Sequence, residues 1–172
     1  MALLLAVAAS AIALSGTLPV LDATALPGLA ATTHAVGARD LAADLAGGAA
    51  FEARLRSWGF RRGRERDFQG PSKHIDRAVS RTLVFATGGG ARAYVAYIGA
   101  HAAALYGPGS TSSRLASRGR PGVLVDAAAC ACHRAAPTLL AVVARGTRVT
   151  WLEANGGEVT RAVLVALLAR AP

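Results

Sequence analysis

The chain reads as an α+β protein: an antiparallel sheet of about five strands with helices packed on one face, in the order α-β-β-α-β-β-β-α. Three observations lead there. Strand-like segments group together and helix-like segments stand apart from them, unlike the strict alternation of βαβ units. The stretch "TLLAVVA", residues 138–144, is apolar on both faces, as a central strand requires. Residues 91–106 place Ala91, Tyr94, Val95, Ile98, Ala102 and Leu105 at helical spacing.

The elements follow in order. "ARDLAADLAGGAAFEARLRSWGF", 38–60, predicts a helix interrupted at Gly47-Gly48. Its second half sets Phe51, Leu55 and Trp58 at i, i+4, i+7 on one face. "GFRRGRERDFQGP", 59–71, alternates charge and reads as an exposed strand or extended arm. In "IDRAVSRTLVFATGG", 75–89, Val79, Arg81, Leu83 and Phe85 fall on one side of a strand, with Ser80, Thr82 and Val84 on the other. "TGGG" stops it, and the 91–106 helix follows. "GPGSTSSRLASRGRPG", 107–122, reads as a polar loop, and "GVLVDAAACAC", 122–132, as a strand. Arg145-Gly146 turns "TLLAVVA" into "TRVTWLEA", an antiparallel hairpin with Val149 and Trp151 toward the core. "NGG" ends that strand. "EVTRAVLVALLAR", 158–170, closes the chain as a helix with Val159, Ala162, Val163, Ala166 and Leu167 inward. No internal repeat is evident.

At 172 residues the chain holds one domain with a real core. Its hydrophobic fraction of 53% is inflated by alanine, which buries little area, and aromatics are only 5%, so Leu, Val and Ala must build the interior. The net charge of +9 resembles that of a nucleic-acid binder. Yet of 19 basic residues only Lys73 is lysine, which with the abundant Ala and Gly marks a GC-rich coding bias. Charge is therefore weak evidence for a polyanion, and nucleic acid is the less favoured partner.

Ala2 to Leu14 is an apolar run of signal-peptide length and too short for a comfortable membrane span. Ala23-Thr24-Ala25 fits a small-x-small cleavage site, and "ALS" ending at Ser15 is a nearer alternative. No Lys or Arg precedes Arg39, so the charged start of a signal peptide is missing. The expected organisation is a leader or apolar segment over 1–25, a linker over 26–38 and a single domain over 39–172. The expected location is secreted or extracytoplasmic, with no membrane span beyond an N-terminal anchor.

Both cysteines fall in "CACHRAAP", 130–137. Haem attachment needs C-x-x-C-H, and one residue is missing. Zinc needs four ligands and no second cysteine pair exists, so no metal or other cofactor is expected. A local disulfide between Cys130 and Cys132 is the leading reading for an exported chain, although i, i+2 in a regular strand lies at the edge of bridging distance. Packed thiols or an intermolecular bridge are the alternatives. At the start of the central helix, Gly88, Gly89, Gly90 and Arg92 offer free N–H groups to an anion. Without G-K-[ST] or a complete G-x-G-x-x-G, a tight strand-to-helix turn explains those glycines as well. Arg54, Arg56, Arg61, Arg62, Arg64 and Arg66 form the densest basic run, a candidate surface for an anion or polymer, or a solvated face with ion pairs. No catalytic residues are assigned: there is no G-x-S-x-G elbow, and Tyr97 and His101, at i, i+4, are expected to pack.

The phrases "TLVFATGGGARAYV", "RPGVLVD" and "LLAVVARGTRVTWLEANG", followed by an apolar helix, resemble small exported proteins and lipoproteins of actinobacteria. Their element order is similar to that of the extracellular sensor domains attached to some actinobacterial Ser/Thr kinases. The resemblance covers residues 50 to 172 and departs in lacking a lipobox cysteine and in having Cys-x-Cys instead of widely spaced pairs. It implies an extracytoplasmic α+β domain and carries over no catalytic residue. The functional expectation is an exported, non-catalytic binding or envelope-associated domain. It would use the cleft beside the 88–106 helix or the arginine run, with an anionic envelope component or a protein as partner. A small thiol or metal protein acting through Cys130 and Cys132, and a basic nucleic-acid binder, are the alternatives.

Overall fold

A computed structural model of the chain describes residues 17–45, 47–70, 75–117, 120–127 and 138–171. Cys130 and Cys132 lie outside the described residues, as does the end of the strand expected over 122–132.

The fold is α+β, built on one antiparallel sheet of seven strands rather than five. Its strands are β1 (Ala30–Val36), β2 (Phe60–Gln69), β3 (Arg77–Phe85), β4 (Thr111–Ser117), β5 (Arg120–Ala127), β6 (Thr138–Arg145) and β7 (Arg148–Asn155). They lie side by side as β1-β2-β3-β7-β6-β5-β4. The two strands absent from the expected order are the two edges. β1 falls in the stretch expected as a linker and β4 in the stretch expected as a polar loop. Both reasons are physical. An edge strand has one neighbour and is held largely by its backbone ladder, so it needs no apolar alternation. β1 buries only Val36, and β4 carries Ser, Thr and Arg at most positions.

The helices are α1 (Ala38–Asp44), α2 (Gly48–Ser57), α3 (Gly88–Ala100), α4 (Ala102–Tyr106) and α5 (Arg161–Arg170). The first expected helix breaks where anticipated, with Gly48 in the left-handed region at φ +52°. The central helix starts at Gly88, three residues early, because the Thr87 side chain accepts the Gly90 N–H and caps it. It breaks at His101 into α3 and α4.

The helices do not share one face, which corrects the expectation. α1 to α4 cover one side over Val36, Leu83, Phe85, Val123, Val125, Leu140, Val142, Val149 and Trp151. α5 and the segment around Leu21, Ala25 and Leu26 cover the other, over Phe68, Leu124, Leu139, Ala141, Leu152 and Ala154. β3, β6 and β7 are buried on both sides, and a strand apolar on both faces must be covered twice. The hairpin register is as expected: Val149 and Trp151 are both fully buried on the α1–α4 side. α5, in contrast, is rotated from the expected face. Leu164, Leu167 and Leu168 are buried while Ala162 and Ala166 are exposed, because leucine buries more apolar area than alanine.

Candidate functional site

On α3 the residues Arg92, Val95, Ala96, Gly99 and Ala100 recur at i, i+3, i+4, i+7 and i+8, which aligns them in one stripe. That stripe faces Ser112, Ser113, Arg114 and Leu115 of β4 and Pro121, Gly122 and Val123 of β5. The space between is an open groove of about 760 Å³, within the usual range of small-ligand sites. Gly99 sets its depth on the helix side, since a Cβ there would stand 3.0 Å from Val123 Cγ2. Gly122 is a tight fit on the opposite side of the sheet, where a Cβ would meet Val143 Cγ2 at 2.9 Å. Ser112 Oγ donates to the Gly99 carbonyl at 2.7 Å and ties the helix to the edge strand. Val95 and Val123 supply an apolar wall, while the Leu115 side chain packs on the opposite side of the sheet. Arg92 and Arg114 are exposed at the rim, and neither forms an ion pair with a described carboxylate.

The chain is similar in structure to the extracellular domain of PknH from Mycobacterium tuberculosis. The likeness has a TM-score of 0.49 at 14% identity and covers 81% of this chain and 80% of that one. That neighbour is the extracellular domain of a Ser/Thr kinase, the class of domain whose element order the sequence resembles. No protein family and no curated protein matches the sequence.

A second polar centre is buried beneath α1. Arg81, on the inner face of β3, is 5% exposed. Its Nε donates to the Glu65 carboxylate across the β2–β3 pair, and its Nη2 lies 2.5 Å from Asp44 Oδ2. The guanidinium also sits 5.1 Å above the Trp151 ring, its neighbour on β7. Burial pulls the Arg81 pKa down, but Glu65 and Asp44 outweigh it and hold it above the ordinary value. Around this group the Tyr94 and Tyr106 hydroxyls and the Trp151 Nε1 are buried with no hydrogen-bond partner among the described residues. Burial raises both phenols. Glu153, on the same inner face, is raised by burial against the opposing pull of Arg81 and Arg77. The Trp151 indole N–H lies near that carboxyl, short of a formed hydrogen bond.

The arginine run of the sequence is not one surface. Arg54 lies over the Tyr97 ring at 5.2 Å, and Arg56 pairs with Glu52 one turn back on α2. Arg64 Nη1 donates to the Leu18 carbonyl at 3.1 Å, and Arg66 donates to the Leu21 carbonyl at 2.8 Å and to Thr33 Oγ1 at 2.7 Å. These two arginines clamp the N-terminal segment on the opposite face of the sheet from α2. Arg61 is exposed and Arg62 half-buried near the start of β2. The glycine turn is likewise occupied by packing. An added Cβ on Gly90 would fall 1.9 Å from the Trp58 carbonyl oxygen, and one on Gly88 would lie 3.2 Å from that of Gly146. Of the four residues proposed at that helix start, Arg92 is the one that reaches the groove. Tyr97 and His101 stack with ring centroids 3.9 Å apart, and the imidazole Nδ1 lies 3.0 Å from the Tyr97 carbonyl.

Sequence reasoning did not single out Arg114 or Arg81. Arg114 sits in β4, whose polar pattern hid the strand. Arg81 carried a usable signal: a charge on the core side of "AVSRTLVF" requires a carboxylate on a neighbouring strand or helix.

Proposed function

We propose that the chain is an exported binding domain whose site is the α3–β4–β5 groove. The observation that carries this reading is the pairing of two exposed guanidiniums, Arg92 and Arg114, with the apolar wall of Val95 and Val123. Such a lining suits a small amphipathic anion, its head between the arginines and its body against the wall. Guanidiniums, hydroxyls and apolar carbons bind and orient, so recognition fits this lining better than bond chemistry does.

Export is part of the proposal, with cleavage placed before Thr17. Leu18, Leu21, Ala25 and Leu26 are buried, and Leu21 N donates to Ser80 Oγ at 2.9 Å. A cut after Ala25 would strip Leu18, Leu21 and Ala25 from the core, whereas a cut near Ser15 leaves them in place. The intact mass of the extracellular form checks that placement.

The groove is tested with 1-anilinonaphthalene-8-sulfonate, an anionic aromatic probe whose fluorescence rises on apolar contact. Saturable binding at one site is expected. It should be lost in Ala96→Trp, which fills the groove from an exposed helix position, and weakened at least tenfold in Arg92→Ala/Arg114→Ala, on the order of two charge-assisted contacts. Unchanged binding in both folded variants would overturn the assignment.

A further inference from the structure

On the face of the sheet opposite the α3–β4–β5 groove lies a second cavity, of about 470 Å³. Thr82 of β3, Thr150 of β7 and Val143 of β6 stand side by side across three strands and form its floor. Thr82 and Val143 are buried. Pro19 borders the recess and is fixed there by its carbonyl, which accepts from the Thr82 hydroxyl. Arg145 and Arg148 border it at the β6–β7 turn. Arg145 lies two residues beyond Val143 and Arg148 two before Thr150, so both side chains leave the sheet on this face.

The two arginines are Cα partners across the hairpin, and both are exposed. Neither forms an ion pair with a described carboxylate, and no described carboxylate lines the recess. Like charges set directly opposite in a ladder destabilise a hairpin, so the fold itself gains nothing from this pair. The turn nevertheless holds them in place. Gly146, at φ +56°, closes a two-residue loop, and the Thr147 carbonyl accepts the Phe85 N–H at 2.9 Å, which ties the loop to β3.

A tetrahedral dianion answers each of these features. Its oxygens accept from both guanidinium forks at once and turn the repulsion into a bridge. A phosphate group carries about −1.5 to −2 charges near neutral pH, which balances the pair. The threonines of the floor suit a polar body, unlike the apolar wall of the groove. Depth separates the carriers of phosphate. A small soluble ion reaches the buried floor at Thr82 and Val143, whereas headgroups held in the plane of a bilayer meet only the exposed arginines.

We propose that this recess binds a small soluble phosphate, as the free ion or the monoester of a small polar alcohol, with Arg145 and Arg148 sharing its oxygens. The site does not depend on what the groove binds. All its residues follow the cleavage point proposed before Thr17, so the exported form keeps it.

The test is isothermal titration of the protein with inorganic phosphate and with glycerol phosphate at low salt. One saturable site is expected. Arg145→Ala and Arg148→Ala should each weaken it at least about tenfold, the loss of one charge-assisted contact. Arg56→Ala/Arg161→Ala, which removes two charges elsewhere, should stay within about two-fold of the parent. Tighter binding of glycerol phosphate would assign the monoester, and equal affinities the free ion. Thermal melts give a second readout, one that also serves if an alanine variant fails to fold. Without phosphate, Arg148→Thr should melt at or above the parent, because the like-charge pair is gone; in saturating phosphate the parent should overtake it. Absence of a phosphate site, or equal losses in the control pair, would overturn the proposal. So would an equal rise in the parent's melting temperature from chloride at the same ionic strength, which would reduce the effect to screening. Binding to phosphatidylglycerol vesicles or to a single-stranded oligonucleotide that phosphate does not displace, yet Arg148→Ala abolishes, would overturn it in favour of that macromolecule.

Discussion

Replacing Arg81 by methionine is expected to destabilise the fold by about 3–5 kcal/mol, because it leaves a buried carboxylate without its cation. Both Arg81 and Glu65 are 5% exposed, so Glu65 cannot recover its hydration when the guanidinium is removed. His34, 3.6 Å from Glu65 Oε1, is a poor substitute, with its side chain more than half exposed. Asp44 is half-exposed and returns to water at little cost, so the loss is dominated by Glu65. The contact of Arg81 with the Trp151 ring adds about 1 kcal/mol or more, since the pair is desolvated. For a chain of this size the sum, about 4–6 kcal/mol, corresponds to a melting-point drop of roughly 8–24 °C. The double variant Arg81→Met/Glu65→Leu removes both charges and should regain most of the loss, because apolar replacement of a buried ion pair is often neutral or better. Urea unfolding followed by far-UV circular dichroism measures all four corners of the cycle. An Arg81→Met variant within about 1 kcal/mol of the parent would refute the claim that this network is tightly buried. A double variant no more stable than the single would refute the claim that the orphaned carboxylate carries the cost.

Two further substitutions probe the interior. Glu153 has a folded-state pKa raised above its unfolded value, so its penalty is absent below the unfolded value and grows as pH rises through the folded one. Glu153→Gln should therefore match the parent in mildly acidic buffer and exceed it in stability above neutrality; a constant difference across pH, read from thermal melts, would contradict the shift. Gly90→Ala tests packing against propensity. Alanine favours a helix over glycine by about 1 kcal/mol, but its Cβ would stand 1.9 Å from the Trp58 carbonyl. Since α3 and the α2–β2 turn would have to separate, overpacking of about 1–3 kcal/mol should win, and a stabilised variant would show that the turn gives way freely.

The interior strands were legible because their burial is written into their composition. "TLLAVVA" and "TRVTWLEA" carry a hairpin, its turn and the inward face of Trp151 without reference to the rest of the chain. The helix faces of Phe51 and Leu55 and of Tyr94, Val95 and Ile98 were legible for the same reason: each depends on spacing within one segment. The edges were not. β1 and β4 exist because β2 and β5 offer unpaired backbone groups, and a ladder of N–H and C=O groups leaves almost no mark on side-chain pattern.

The candidate site divides in the same way. The position of Arg92 on the first turn of a helix could be read from the sequence. Its meeting with Arg114, on a strand that the sequence read as loop, needed the sheet. The dense arginine run looked like one patch because its members are neighbours in the chain. The sheet instead sends Arg64 and Arg66 to one side, where they bind carbonyls, and leaves Arg54 and Arg56 on α2 at the other. Arg145 and Arg148, three residues apart, passed as part of a turn until the register set them opposite each other. Sequence by itself determined the α+β class, the central strands, the inward face of the hairpin and the apolar start, since these follow from local periodicity and composition. Tertiary structure alone decided which edges close the sheet, which face each helix covers and which arginines stand together, because those depend on groups distant in the chain competing for the same surface.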